Sequence, residues 1–127
     1  MITSRYRPLE SSALALALAI AQPAAAHHSF ALFDSQKTQT VEGTVKDYQW
    51  TNPHIWIQLM VNNTAGHEVE WSIEGPSPNG LVRQGWTAHS LKPGDQAVIQ
   101  IHPLKSGAAG GSLLSATVNG KAIGQGG

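Results

Sequence analysis

Two adjacent histidines, His27 and His28, stand directly after Ala24-Ala25-Ala26. A cut after Ala26 would make His27 the first residue and give it a free α-amine. That amine and the His27 Nδ1 can chelate one metal ion, with His28 or a distant imidazole completing the set. Amine and imidazole nitrogens in a plane favour Cu(II). A cut one residue earlier would place histidine third, another copper-chelating terminus that binds through the intervening backbone amides. His54 is the distant imidazole that the pattern favours, because it opens an apolar strand just after Pro53. Met60, on the same strand face, would add a soft thioether suited to Cu(I). The plainer role for each histidine is a structural hydrogen bond at a strand end, and this applies equally to His102 before Pro103. His67 falls beside a glycine turn and His89 in a loop.

A second surface of interest alternates with the apolar positions. Trp56, Gln58 and Met60 project from one strand, beside Glu68, Glu70, Ser72 and Glu74 from the next. Aromatic and polar groups together suit a sugar or a peptide, while the acidic row opposes a nucleic-acid backbone. The alternative is an ordinary wet sheet face. Enzyme signatures are missing: the sequence has no cysteine nucleophile, G-x-S-x-G elbow, H-E-x-x-H or P-loop. The expectation is therefore a binding module, not an enzyme. A small copper oxygenase with an N-terminal histidine is the least favoured reading, since it would also need a substrate-binding plane.

The elements that must position these groups begin after a targeting segment. Arg5 and Arg7 precede an apolar run over residues 13–21, Gln22 and Pro23 break it, and alanines occupy the positions before the cut. This is the signal-peptide pattern, and the run is shorter than the about 20 apolar residues of a membrane span. The expected location is periplasmic or secreted, with no membrane span after cleavage. The whole sequence carries 8 basic and 8 acidic residues. Losing Arg5, Arg7 and Glu10 leaves the acids one ahead, so charge gives no reason to expect nucleic acid. With no cysteine, the fold must rest on its apolar core.

Residues 27–39 read as an N-terminal arm carrying Phe30, Leu32 and Phe33, too short to fold alone. Residues 40–50 alternate as a strand around Val41 and Val45, and Gly43 suggests a bulge or bend. The inward parity switches to Tyr48 and Trp50 further on. Ile55, Ile57, Leu59 and Val61 form the apolar face of the next strand, and Val69, Trp71 and Ile73 that of the third. Ser77-Pro78 is a helix start, with Leu81, Val82 and Trp86 as its apolar stripe. Lys92-Pro93-Gly94-Asp95 is a turn. Ala97, Ile99 and Ile101 face inward from a fourth strand. Residues 106–112 read as a flexible glycine-rich loop, and residues 113–118 as a fifth strand with Leu114 and Val118 inside. The fold class is mainly β: a small five-stranded OB-like Greek-key barrel with one short helix between strands three and four. The domain plan is a signal peptide at 1–26, the arm at 27–39, the barrel at 40–121 and a flexible tail at 122–127. The arm should dock its phenylalanines on Trp56 and Met60, carrying His27 and His28 toward His54.

Several of these motifs occur together in one family. HHSF at residues 27–30, Phe33-Asp34, EGTV at 42–45, WTNPH at 50–54, Gly85-Trp86, LKPGD at 91–95 and His102-Pro103 appear in order. The chain resembles the secreted bacterial proteins grouped as domain of unknown function 6152, over nearly all of the sequence after the targeting segment. The resemblance implies export and a single small β-domain, and it implies no activity. The resulting expectation is a periplasmic OB-like binding or accessory module that takes copper or another transition metal through His27, His28 and His54. The alternative is a metal-free module binding a small ligand, a peptide, a sugar or a periplasmic protein on the face of Trp56, Gln58, Met60, Glu70 and Ser72.

Overall fold

The computed structural model describes residues 31–124. The elements in order are β1 (Gln39–Gln49), β2 (Trp56–Asn62), β3 (Glu68–Glu74), α1 (Pro78–Val82), β4 (Gln96–Pro103), β5 (Gly110–Val118) and β6 (Lys121–Ala122). The hydrogen-bonded order is β3-β2-β1-β4-β5-β6, and a parallel β3–β5 pairing closes five of these strands into a mixed barrel. This is the OB-like barrel expected from the sequence, with the helix between β3 and β4. Among the described residues no helix is long and apolar enough to cross a membrane. The expected targeting segment, His27, His28 and Phe30 lie outside the described residues.

β1 makes the barrel possible by serving two partners. Residues from Gln39 to Thr44 pair with β4, and those from Thr44 to Gln49 pair with β2. The strand must therefore bend sharply. Gly43 stands at the bend because a Cβ there would collide with the Met60 carbonyl oxygen. The bulge itself lies slightly later, between Val45 and Asp47, so Lys46 is the extra residue. This insertion causes the parity switch seen in the sequence.

Closure needs close approach as well. Ser72, Ile73 and Glu74 of β3 pair with Gly110, Gly111 and Ser112 of β5. A Cβ at Gly110 would come within 2.7 Å of the Ser72 oxygen. The segment expected to be a loop thus supplies the first residues of β5, because only glycine lets the backbones meet. A second irregularity, between Gln100 and Ile101, pairs Ile101 with Leu113 and Gln100 with Ser115. Leu114 becomes the unpaired residue and is 43% exposed, contrary to the expected burial, while Ala116 turns inward.

The core joins Val41, Val45, Ile57, Leu59, Ile73, Ile99 and Ile101 from the strands to Leu81, Trp86 and Leu91 beyond them. Trp71, Val61 and Val118 pack against it half-buried, and Val69 is also half-buried. The alternation was read in the right register, but Trp71 lies near an open barrel end with Gln39, Asn62 and Gly107. At the other end α1 begins with Ser77 capping Gly80 N–H and Pro78 in the first turn. Leu81 and Trp86 are buried; Val82 faces out. The LKPGD turn is pinned to the β1 bulge, with Gly94 N–H donating to Val45 O and Val45 N–H to Asp95 O, each at 2.8 Å. The buried Asp95 carboxylate accepts from Lys92 Nζ at 2.7 Å, Lys92 N–H at 3.0 Å and Asn119 Nδ2 at 3.2 Å. The Lys92 side chain is the main reason the Asp95 carboxyl sits below its ordinary pKa, against the opposing effect of burial.

Candidate functional site

Pro53 cannot donate to a ladder, so β2 begins late and His54 stands just ahead of it. The β2–β3 ladder nevertheless continues past both strand ends. Gly75 N–H donates to Ile55 O at 2.9 Å and Ile55 N–H to Pro76 O at 3.1 Å. This extension puts the His54 ring against the Gly75 carbonyl, with Nδ1 at 3.0 Å from its oxygen. A carbonyl oxygen only accepts, so Nδ1 carries the proton and donates. When the ring is uncharged, its Nε2 is then a bare lone pair. That Nε2 lies 3.5 Å from Glu74 Oε1, with the Glu74 side chain 13% exposed and His54 31% exposed. Two acceptors face one another.

His102 repeats the arrangement one wall away. Its Nδ1 is 2.7 Å from the Lys37 carbonyl oxygen, so this ring also spends its Nδ1–H on backbone. Glu74, Ser112 and His102 lie in one row across β3, β5 and β4, each the direct partner of the next. The row and His54 line a cavity of about 260 Å³ with Phe33, Pro76, Leu113 and Leu114.

Phe33 places the root of the arm in that cavity. It bridges to Leu104, Asp34 N–H donates to Pro103 O at 2.8 Å, and Lys105 N–H donates to Leu32 O at 2.9 Å. The arm thus adds to the end of β4, and Phe33 is buried there. This corrects the expected docking on Trp56 and Met60. The Pro103 carbonyl and the Lys105 N–H offer hydrogen bonds as well as apolar contact, whereas the β2 face offers side chains alone. Phe33 shares a cavity with His54, and the expected approach of His27 and His28 to His54 falls on residues outside those described.

Met60 is removed from this neighbourhood. It faces a separate polar hollow with Glu42, Thr44, Asn62, Glu68 and Gln96, and six residues of extended strand from His54 span about 20 Å. The remaining outer-face residues are cross-strand neighbours: Trp56 pairs with Glu74, Gln58 with Ser72 and Met60 with Glu70. Gln58 Nε2 donates to Ser72 Oγ at 3.1 Å, and Glu70 is engaged by Lys46 Nζ at 2.6 Å. His67 and His89 are exposed, away from the cavity. Among the described residues no group of three or more histidine, aspartate or glutamate side chains is placed to hold a metal ion.

Glu74 is the residue that sequence reasoning passed over, since it looked like one more member of a wet acidic row. Its distinguishing signal was the Gly75-Pro76 that follows it. Through Ile55 that pair extends the β2–β3 pairing and brings His54 against this last side chain.

The chain was compared with known proteins. A model described as a family of unknown function (DUF6152) matches residues 15–114. No curated protein matches. Among solved structures, the mitochondrial single-stranded DNA-binding protein Rim1 of S. cerevisiae superposes with a TM-score of 0.48 at 5% sequence identity, covering 65% of this chain and 94% of that one.

Proposed function

The chain belongs to the DUF6152 family of unknown function, and from that premise we propose that it is an exported metal-binding module rather than an enzyme. The metal, copper in the first instance, is held by the α-amine and imidazole of His27, by His28 and by His54. One observation carries this reading: the His54 Nε2 lone pair and the Glu74 carboxylate oxygen face each other at 3.5 Å with no donor of their own between them. Such a pair is satisfied by a cation between the two atoms, whether a proton or a metal ion, or by a water that donates to both. The position of the arm supports the metal. Phe33 sits in the same cavity as His54, and the six residues back to His27 reach at most about 20 Å. A free terminal amine and two more imidazoles are therefore within range. The signal-peptide pattern supports a periplasmic location, where such an amine would be generated.

The test is mass spectrometry of the exported protein under native conditions, with and without Cu(II). The expected mature chain begins His-His-Ser-Phe and retains one copper ion. An intact Met1, or no copper retained by a chain that begins at His27, defeats the proposal. The half-buried Trp56 beside the Gln58–Ser72 pair favours the second reading, a ligand face on β2 and β3. Under that reading an indole fluorescence change would follow ligand addition in a Trp56-dependent and metal-independent way.

A further inference from the structure

The cavity beside His54 has an apolar side and a polar side. Phe33, Pro76, Leu113 and Leu114 supply the first. Leu113 and Leu114 are consecutive, and side chains one residue apart in a regular strand point to opposite faces. The irregularity opposite Gln100 and Ile101 leaves Leu114 out of the pairing, and both leucines line one hollow. Leu114 is an apolar side chain that the core does not use. The polar side is the His54–Glu74 pair, with Ser112 next to Glu74 in the row across β5. Among the described residues no lysine or arginine lines the cavity or pairs with Glu74.

Two acceptors and one negative charge call for a group with several hydrogens on one positive atom. An ammonium has three N–H donors and no acceptor. A nitrogen about 2.9 Å from each of two acceptors 3.5 Å apart sees them about 75° apart. Ammonium hydrogens diverge by about 109°, so each bond bends by less than about 20° and stays favourable. A water bridges the same two atoms, but it brings no charge to Glu74 and no apolar body to the leucines. Hydrogen bonds to a charged group are about twice as strong as neutral ones. The cavity measures about 260 Å³, and about 150 Å³ suffices for benzene, so one ring on a short stem has room. We propose that this cavity binds a small primary amine in its ammonium form. The head lies between His54 Nε2 and Glu74, and an aromatic or branched body lies against Phe33, Leu113 and Leu114. This goes beyond the metal reading and does not rest on it, since every group it needs lies among the described residues.

Metal and amine exclude one another at His54 Nε2, so the test uses the full exported chain freed of metal by chelation. Calorimetric titration compares 2-phenylethylamine with 2-phenylethanol, which has the same body and no charge, and with 3-phenylpropionate, which has the opposite charge. The amine should bind at one site with sub-millimolar affinity. The alcohol should bind about 10-fold more weakly, and the acid should not bind. Glu74→Gln should weaken the amine about 10-fold, as loss of a hydrogen bond to a charged group does, and should leave the alcohol within about 2-fold. Leu114→Ala should weaken amine and alcohol alike, about 3-fold, through lost apolar contact. Because Leu114 lies outside the core, this variant and the three-probe series decide the matter should Glu74→Gln fail to fold. No binding of the amine at millimolar concentration, equal binding of the alcohol, or undiminished binding in either variant overturns the proposal and leaves a bridging water as the occupant. Copper retained by a wild type that takes no amine overturns this proposal alone. Amine bound by a wild type that retains no copper overturns the metal reading alone.

Discussion

The helix-capped pole of the barrel and the arm-side cavity touch the same three residues, Pro76, Leu113 and Leu114, yet they are built on opposite rules. At the pole, Leu81 and Trp86 are sealed inside and polar groups find full partners. Tyr48 Oη donates to the Thr87 carbonyl at 3.0 Å, and burial pushes its phenol pKa well above the usual value, so it remains a neutral donor. Asp95 accepts three hydrogen bonds. In the cavity, two histidines have their Nδ1 protons used by backbone, and the Glu74 carboxylate faces the second nitrogen of His54. A completed polar network rigidifies a fold; an incomplete one at the edge of an apolar hollow is where a ligand gains most. The pole holds the closed polar pairs, and the cavity holds the His54–Glu74 pair on which the proposed site rests, in one small barrel.

That division can be broken experimentally. The largest effect should come from Trp86→Ala, which should cost about 3–5 kcal/mol in denaturant unfolding, as large aromatic truncations in cores do. The fraction that stays folded should keep its metal affinity. A strong loss of metal binding in that fraction would merge the two regions into one. Phe33→Ala should cost about 2 kcal/mol for the buried ring. Unlike the pole variant, it should weaken copper binding and expose residues 31–38 to limited proteolysis. An undocked arm with undiminished copper affinity would confine the metal to the terminal amine.

Asp95→Asn sharpens the comparison through pH. The carboxyl pKa is depressed in the folded state. Its bonds therefore stabilise the fold above the unfolded-state value of about 3.9, and that contribution is lost as pH falls through the lower folded value. Melting temperatures from pH 7 down to pH 2 should show wild type losing stability steeply at the acid end. Asp95→Asn should start lower and fall less. Parallel curves would remove Asp95 from the account of the pole. Leu114→Ala is the smallest change, at most about 0.5 kcal/mol, because the β5 irregularity leaves this leucine outside. A cost of several kcal/mol would mean that Leu114 is core after all.

Much of the barrel could be read from residue patterns, since alternation in β2 and β3 and the Ser77-Pro78 start are local signals. The failures share one physical cause. Leu114 and Gly110–Gly111 take their places from pairing with distant strands, and a one-residue irregularity reverses which side of a strand faces the core. The bend at Gly43 was visible, but the inserted residue, Lys46, was not, because its position depends on the register against Leu59 and Gln58. His54 was singled out on sound grounds, as the polar residue after a proline break. Glu74 depends on the β2–β3 ladder continuing past its end, and the arm's seat depends on the Pro103 carbonyl and the Lys105 N–H, none of which a local pattern reveals.

The parallel seam between β3 and β5 has a kinetic meaning. β1, β2 and β3 follow one another as antiparallel neighbours, and contacts that are near in sequence form early. The seam joins Ser72 to Gly110 across all of α1 and β4, so its loop-closure entropy falls due late. His54 and Glu74 can meet when β2 and β3 pair. The wall of Ser112, His102 and Phe33, held together by β4, β5 and the arm, comes against them when the seam closes. The full cavity is thus a product of the final folding step, absent from a transition state that precedes closure. A ligand held there would slow unfolding and leave the folding rate unchanged, making the bound protein long-lived without making it quick to form.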